Sequence, residues 1–339
     1  MSVLGDLARV RERPQVYLRI IARTISTGSL LETLKSRFPF RLPDAEFPRI
    51  VALEFTNFCN LRCPYCAAQS APVRGQRGFM TDATFSRIAS QLREFPLQTL
   101  RVIGGGEPTA HPRFAEYAPQ LRGVASILTL TTNGQLFTEK NVRQTAASFD
   151  IVEISVDGND ATEYEKYRAG ASFQKLLRNI ELLRSAAAHE RSKMLLHIRI
   201  MLKVSDIERV HDLRRYWEQH ADSVSVQHLF DRTGNGTNLF TIMPRVQGSF
   251  RQCEYPFKAM GICWNGDVPL CSAIEPRLKV SDGGLLLGNV NKESLLEIWH
   301  GPLLRQYREA HRTCQPSNAP LCVGCNEVWG QTNAGGRRS

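Results

Sequence analysis

Between Ile50 and about Phe230, short runs rich in β-branched residues alternate with amphipathic stretches, and the two periods, near 2 and near 3.6, assign the elements. The apolar runs predict six strands, at Ile50 to Phe55, Thr99 to Ile103, Ile127 to Thr131, Ile151 to Val156, Leu195 to Met201 and Val224 to Leu229. The stretches between them predict helices near Asp82 to Glu94, Arg113 to Leu121, Glu139 to Ala147, Phe173 to Ala187 and Ile207 to His220, with Thr81 and Ser205 as capping residues. Such alternation belongs to βα units on a parallel sheet. Six units fall short of the eight that close a barrel, so the expected α/β fold is an open, partial (β/α)6 barrel.

The flanks divide the chain further. Residues 1–48 are expected to form an N-terminal helical segment, ended by the breaker-rich run Phe38-Pro39-Phe40-Arg41-Leu42-Pro43, and the barrel is expected over 49–235. Asp231 to Gly248, with Thr233-Gly234-Asn235-Gly236 and Pro244, reads as a linker. Residues 249–335 then form a small second module holding six of the nine cysteines.

Composition narrows the function classes. A chain of 339 residues can bury a sizeable core, and no stretch approaches the ~20 apolar residues that span a membrane. Asp6, Arg9, Arg11, Glu12 and Arg13 interrupt the N-terminus where a signal peptide would be apolar, so a cytoplasmic location is expected. In that reducing compartment nine cysteines point to metal ligation rather than disulfides. The net charge of +10 suits an anionic partner, but the arginines are scattered, without the basic and aromatic interleaving of nucleic-acid binders. A diffuse solvated surface is the better match, with a polar, anionic small-molecule substrate as the alternative.

The chemistry centres on Cys59-Asn60-Leu61-Arg62-Cys63-Pro64-Tyr65-Cys66, just after the first strand. Three thiolates this close can hold three irons of a [4Fe–4S] cluster, and with no fourth cysteine before Cys253 one iron stays open to another ligand. Zinc is the structural alternative, although structural zinc normally closes with four ligands. The run, with Tyr65 just before its third cysteine, resembles the signature of radical S-adenosylmethionine (SAM) enzymes. The resemblance implies that Cys59, Cys63 and Cys66 carry the cluster and that its open iron chelates SAM. An electron from a donor such as flavodoxin or ferredoxin then releases a 5′-deoxyadenosyl radical that takes hydrogen from an unactivated C–H bond.

Loops at the carboxyl ends of the strands build the site in such folds. Gly104-Gly105-Gly106-Glu107-Pro108 ends the second strand and resembles the family's GGE motif, which implies that Gly105, Gly106 and Glu107 meet the SAM amino group. Thr131-Thr132-Asn133-Gly134 reads as a turn, with Thr132 and Asn133 as cofactor-binding candidates. Ser155-Val156-Asp157-Gly158 resembles the ribose-binding segment, and Ser155 and Asp157 share one strand face. Arg168 resembles an arginine that contacts the SAM carboxylate, with a surface salt bridge as its alternative, and Tyr65 joins the cofactor-binding set. His111 reads as a helix-start residue.

In the second module, Cys253, Gly266-x4-Cys271, Leu287-Gly288-Asn289-Val290, Leu295-x-x-Ile298-Trp299 and Cys322-x2-Cys325 resemble the SPASM or shorter "twitch" extension. The resemblance implies one auxiliary [4Fe–4S] cluster on Cys253, Cys271, Cys322 and Cys325; zinc on the same four is the alternative. Cys263 and Cys314 are left over. Buried, inert thiols are the default for both, while Cys263 is also a candidate catalytic hydrogen donor. The expected activity is a radical SAM oxidoreductase of dehydrogenase type acting on a sugar, aminoglycoside or nucleotide-linked sugar. The alternatives are an epimerase using a cysteine donor, a ribosomal-peptide maturase and, outside enzymes, a metal-cluster nucleic-acid-binding protein.

Overall fold

The computed structural model describes residues 46–66, 77–202, 206, 208–228, 253–271 and 286–322. The six expected strands form within two residues of their predicted ends: β1 (Ile50–Leu53), β2 (Leu97–Val102), β3 (Ala125–Thr132), β4 (Ile151–Val156), β5 (Leu195–Leu202) and β6 (Ser223–His228). Each pairs in parallel with the next, so the chain winds in one direction. A seventh strand, β7 (Ala259–Ile262), extends the sheet beyond β1 in the order β6-β5-β4-β3-β2-β1-β7. The hydrophobic pattern predicts six strands because β7 is four residues long and includes Ala259 and Gly261, which carry little strand propensity. The free edge of β1 supplies its ladder.

Helices α1 (Asp82–Leu92), α2 (Phe114–Gln120), α3 (Glu139–Ser148), α4 (Ala161–Tyr167), α5 (Phe173–His189) and α6 (Val210–Glu218) lie between the strands. Thr81 caps α1 as expected, its hydroxyl accepting from Thr84 N at 3.2 Å. The expected cap Ser205 lies outside the described residues, and α6 begins at Val210 without a side-chain cap. Helix α4 is absent from the sequence pattern. Its seven residues bury Tyr164 alone, too little to show a period, and its start is set by Asp160, which accepts from Glu163 N at 2.8 Å.

Strand alternation sorts the sheet into two faces. Leu100, Val102, Leu128, Leu130, Val152, Ile154, Leu196, Ile198 and Ile200 are buried in one core with Ile88 and Leu92 of α1, Leu176, Ile180 and Leu183 of α5, and Trp217 of α6. The opposite face carries Arg101, Thr131, Glu153, Ser155, His197, Arg199 and Ser225, and it forms the polar inner wall.

In the C-terminal module α7 (Tyr255–Lys258) leads into β7, and β8 (Asp267–Pro269) pairs antiparallel with β9 (Leu286–Asn289). Helices α8 (Leu295–Trp299) and α9 (Pro302–Arg312) follow. The expected helices of the N-terminal segment, the linker from Asp231 to Gly248, and Cys325 lie outside the described residues. No described helix is long and apolar enough to cross a membrane.

Candidate active site

The cysteine loop leaves β1 through a set of local bonds that fix its path. The Thr56 hydroxyl accepts from Phe58 N at 2.9 Å and donates to Gly78 O at 2.6 Å, while Gly78 N donates to Asn57 Oδ1 at 2.8 Å. Further along, Leu61 N donates to Cys59 Sγ at 3.4 Å, Cys66 N to Cys63 O at 3.0 Å, and Arg62 N to Ala169 O at 2.8 Å. The loop is therefore tied to the β1 mouth at one end and to the turn after α4 at the other.

Burial holds the thiols in their neutral form. It pushes Cys59 up to about 12 and Cys63 up to about 11, and the charges of the neighbouring cysteines add to the rise at both. Ligation to a cationic iron centre is what makes buried thiolates affordable. The three thiols sense one another, yet among the described residues no group of three His, Cys, Asp or Glu side chains is placed to hold a single metal ion.

The glycine-rich loop after β2 lies directly against the cysteine loop. A Cβ on Gly106 would sit 2.4 Å from the Phe58 and Thr56 carbonyl oxygens, and one on Gly104 would sit 2.4 Å from the Glu54 side chain. Close approach of two backbones is what these glycines allow. Gly105 N donates to Glu54 Oε2 at 2.7 Å.

Glu107, expected at the SAM amino group, is buried within a set of local bonds. It is 2% exposed and its oxygens accept from Thr109 N at 3.1 Å, Thr109 Oγ1 at 2.6 Å, Thr132 Oγ1 at 2.6 Å and Asn133 N at 2.7 Å. Burial raises its pKa against those four donors, and its visible work is to lock the β2 loop to the β3 loop. Asn133 reaches onward, donating to Asn60 Oδ1 at 2.9 Å and to Cys59 Sγ at 3.8 Å.

Tyr65, Asp157 and Arg168 meet in one buried cluster. The Tyr65 hydroxyl donates to Asp157 Oδ2 at 2.5 Å, and Arg168 Nε lies 2.6 Å from the same oxygen. Burial works against the Arg168 charge, but Asp157 beside it holds the guanidinium well above its ordinary value. Arg168 is thus an internal ion pair and not a surface one. Ser155 stands half-buried on the same strand face as Asp157, level with Arg199 of β5.

Next to Ser155 the inner wall is polar across four strands, β3 to β6. Arg199 bridges the Glu153 carboxylate and Gln227, donating to Gln227 Oε1 at 2.8 Å, and Thr131 donates to Glu153 Oε1 at 3.2 Å. His197 sits between the hydroxyls of Ser223 at 2.8 Å and Ser225 at 2.7 Å.

The C-terminal module reaches this mouth through β7. Cys263 follows Ile262, the register partner of Leu53, and is buried beside Glu54. Trp264 N donates to Glu54 Oε1 at 3.4 Å, and the Trp264 ring covers Gly78 so closely that a Cβ there would lie 2.2 Å away. Glu54 therefore ties the glycine loop to the second module. The sequence signals this role only by an acid in an otherwise apolar run, Ile50 to Phe55.

Cys314 is exposed and not buried as expected. Its φ of 53° closes α9 in the left-handed conformation usual after a helix end. Cys253, Cys271 and Cys322 are half-buried. His111 closes the short 3-10 turn Pro108–Ala110, two residues before the α2 cap Arg113, its Nδ1 accepting from Arg113 N at 3.0 Å and its Nε2 bonding Met80 O at 2.9 Å.

Comparison with known proteins gives two family matches. A family model described as the radical SAM superfamily matches residues 53–215, and one described as an iron–sulfur cluster-binding domain, SPASM, matches residues 253–326. The chain is 26% identical over 287 residues to the tungsten-containing aldehyde ferredoxin oxidoreductase cofactor-modifying protein of Pyrococcus furiosus, covering 73% of this chain and 79% of that protein. It is 32% identical over 132 residues to the GTP 3′,8-cyclase of Peptoclostridium acidaminophilum, a match that covers 38% of this chain and 40% of that protein.

Among solved structures, anSMEcpe with bound AdoMet superposes with a TM-score of 0.61 at 15% identity, covering 84% of this chain and 92% of that one. BtrN in complex with AdoMet and 2-DOIA gives 0.53 at 18% identity, covering 84% and 94%. SuiB of Streptococcus suis bound to the precursor peptide SuiA gives 0.60 at 18% identity, covering 83% and 70%. At these identities the likeness is one of fold.

Proposed function

Because the chain belongs to the radical SAM superfamily and carries a SPASM iron–sulfur cluster-binding domain, we propose that it oxidises a polar small molecule: a sugar, aminoglycoside or nucleotide-linked sugar. Its cofactors are a SAM-binding [4Fe–4S] cluster, an auxiliary iron–sulfur cluster and SAM. The substrate class is carried by the inner wall, where Glu153, Arg199, Gln227, His197 and Ser225 line the face that also bears Ser155. Donors and acceptors on that wall compensate a hydroxyl- or amine-bearing molecule for lost water, which an apolar molecule does not need.

Cys59, Cys63 and Cys66 are the proposed ligands of the SAM-binding cluster, and Cys253, Cys271, Cys322 and Cys325 those of the auxiliary one. The backbone of Gly105 and Gly106, with Asn133, offers partners for the SAM amino group, and Glu107 and Thr132 hold that loop in shape. Ser155 faces the ribose position. Asp157, clamped by Tyr65 and Arg168, keeps the neighbouring loops rigid and presents one edge of the guanidinium to a carboxylate. Bound together, the cluster and SAM supply a 5′-deoxyadenosyl radical that takes one hydrogen atom from a substrate carbon bearing oxygen or nitrogen. An auxiliary cluster held by Cys253, Cys271, Cys322 and Cys325 would supply an acceptor for the second electron, and the balance of one hydrogen atom, one proton and one electron lost would spend one SAM per two-electron oxidation.

The test is anaerobic turnover of the reconstituted enzyme with SAM, a reductant and a panel of sugars, aminoglycosides and nucleotide-linked sugars. One 5′-deoxyadenosine should form per product that has lost two hydrogens. Cys263, buried beside Glu54, favours a second reading. If a substrate keeps its oxidation level and gains a solvent deuterium at one carbon, and Cys263→Ala stops that exchange, the enzyme is an epimerase. Turnover confined to peptides would make it a maturase.

A further inference from the structure

Helix α9 carries Arg308 and His311 one turn apart, both buried and directed at the segment that opens with Cys253. Arg308 Nε donates to Pro256 O at 2.8 Å and its guanidinium lies 4.1 Å from the Trp299 ring centroid, which fixes the register of α9 against α7. His311, 0% exposed, is held between two proposed auxiliary-cluster ligands. The backbone N–H of Cys253 donates to His311 Nδ1 at 3.3 Å. A backbone amide only donates, so Nδ1 is the acceptor and the ring proton stays on Nε2. Nε2 lies 3.4 Å from Cys322 Sγ, with its N–H available to the sulfur.

We infer that His311 is a positioning residue for the auxiliary cluster, its Nε2–H donating to the Cys322 sulfur and stabilising the cluster in its reduced form. A donor to a ligand sulfur withdraws electron density from the cluster, and the reduced state, carrying one more negative charge, gains most. The effect suits a site that would take the second electron from a substrate that has already lost a hydrogen atom. In the sequence, His311 stands beside Arg312 as an ordinary basic residue of a last helical turn, so only the packing of α9 on α7 brings it to light. The inference rests on the reading of Cys253, Cys271, Cys322 and Cys325 as the ligand set.

The experiment uses the full chain with Cys59, Cys63 and Cys66 replaced by Ala, so that iron reports the auxiliary site alone, and adds His311→Leu or His311→Gln. Iron content, circular dichroism and a redox titration followed by electron paramagnetic resonance are measured on each. All three proteins should keep about four irons. At the parent's midpoint, His311→Leu should hold a reduced-to-oxidised ratio about tenfold lower, a shift of ~59 mV for a one-electron couple. His311→Gln, which keeps an N–H near the Nε2 position, should recover part of it. An unchanged midpoint in His311→Leu with full iron overturns the inference. So does loss of iron from both variants with the fold intact, which would make His311 a ligand. Absence of iron from the triple-alanine parent overturns the ligand set itself, and the inference with it.

Discussion

Cys59 and Cys63 hold their protons more tightly than a free thiol because their surroundings exclude water, and Cys66 adds to the rise at both. With burial raising them to about 12 and about 11, only a minute fraction is thiolate near neutrality. In the metal-free chain at pH 8, iodoacetamide should label them at least ~100-fold more slowly than a free cysteine, whose pKa is ~8.5. The rate should rise about tenfold per pH unit, since the neutral form persists until the raised pKa is reached. Each ligand also gives up its proton when iron binds, so iron uptake should strengthen with rising pH across the same range. Labelling at the free-thiol rate, read by peptide mass spectrometry, would show that the loop opens without metal.

The β1 and β2 elements are joined at their carboxyl ends by loops that touch backbone to backbone, and this contact depends on Gly106. Its absent side chain leaves room for the Phe58 and Thr56 carbonyls, and Glu107 N donates to Phe58 O at 2.8 Å across the same gap. In Gly106→Ala the new methyl group would have to displace the cysteine loop, since the atoms it meets belong to the backbone. The variant should lose SAM cleavage and about four of its irons while keeping the auxiliary set. Iron analysis with far-ultraviolet circular dichroism checks this. Full iron with normal SAM cleavage would mean that the β2 loop moves instead. Helix ends around the site are fixed as locally: the hydroxyl of Thr138 accepts from Asn141 N and the Asn141 side chain accepts from Thr138 N, a reciprocal cap that starts α3.

Over the whole molecule, the two modules share one sheet, because β7 comes from beyond the linker and pairs with β1. Glu54 strengthens that joint by accepting from Gly105 and Trp264 at once. The family match gives two clusters, and anaerobic reconstitution should therefore yield about eight irons per chain. Replacing Cys59, Cys63 and Cys66 by Ala should leave about four and abolish SAM cleavage. About four irons with one zinc in the parent protein would instead assign zinc to the C-terminal cysteines.

The sequence by itself determined the six winding strands, most of their helices and the cysteine run. Each of these is written in local periodicity or spacing: Val152, Ile154 and Val156 alternate with Glu153 and Ser155, and Cys59, Cys63 and Cys66 share a single loop. Only the tertiary structure decided which polar residues hold loops together. Glu107 accepts from donors on two turns, Thr109 on one and Thr132 and Asn133 on the other. Arg168 is paired with an aspartate one strand end away, and β7 exists because an open strand edge was there to receive it. Glu54 and His311 find their partners across modules or between helices, where no repeat along the chain records the contact. A residue's neighbours in space are set by packing, and packing leaves a local trace only when the partners lie within a few residues of each other.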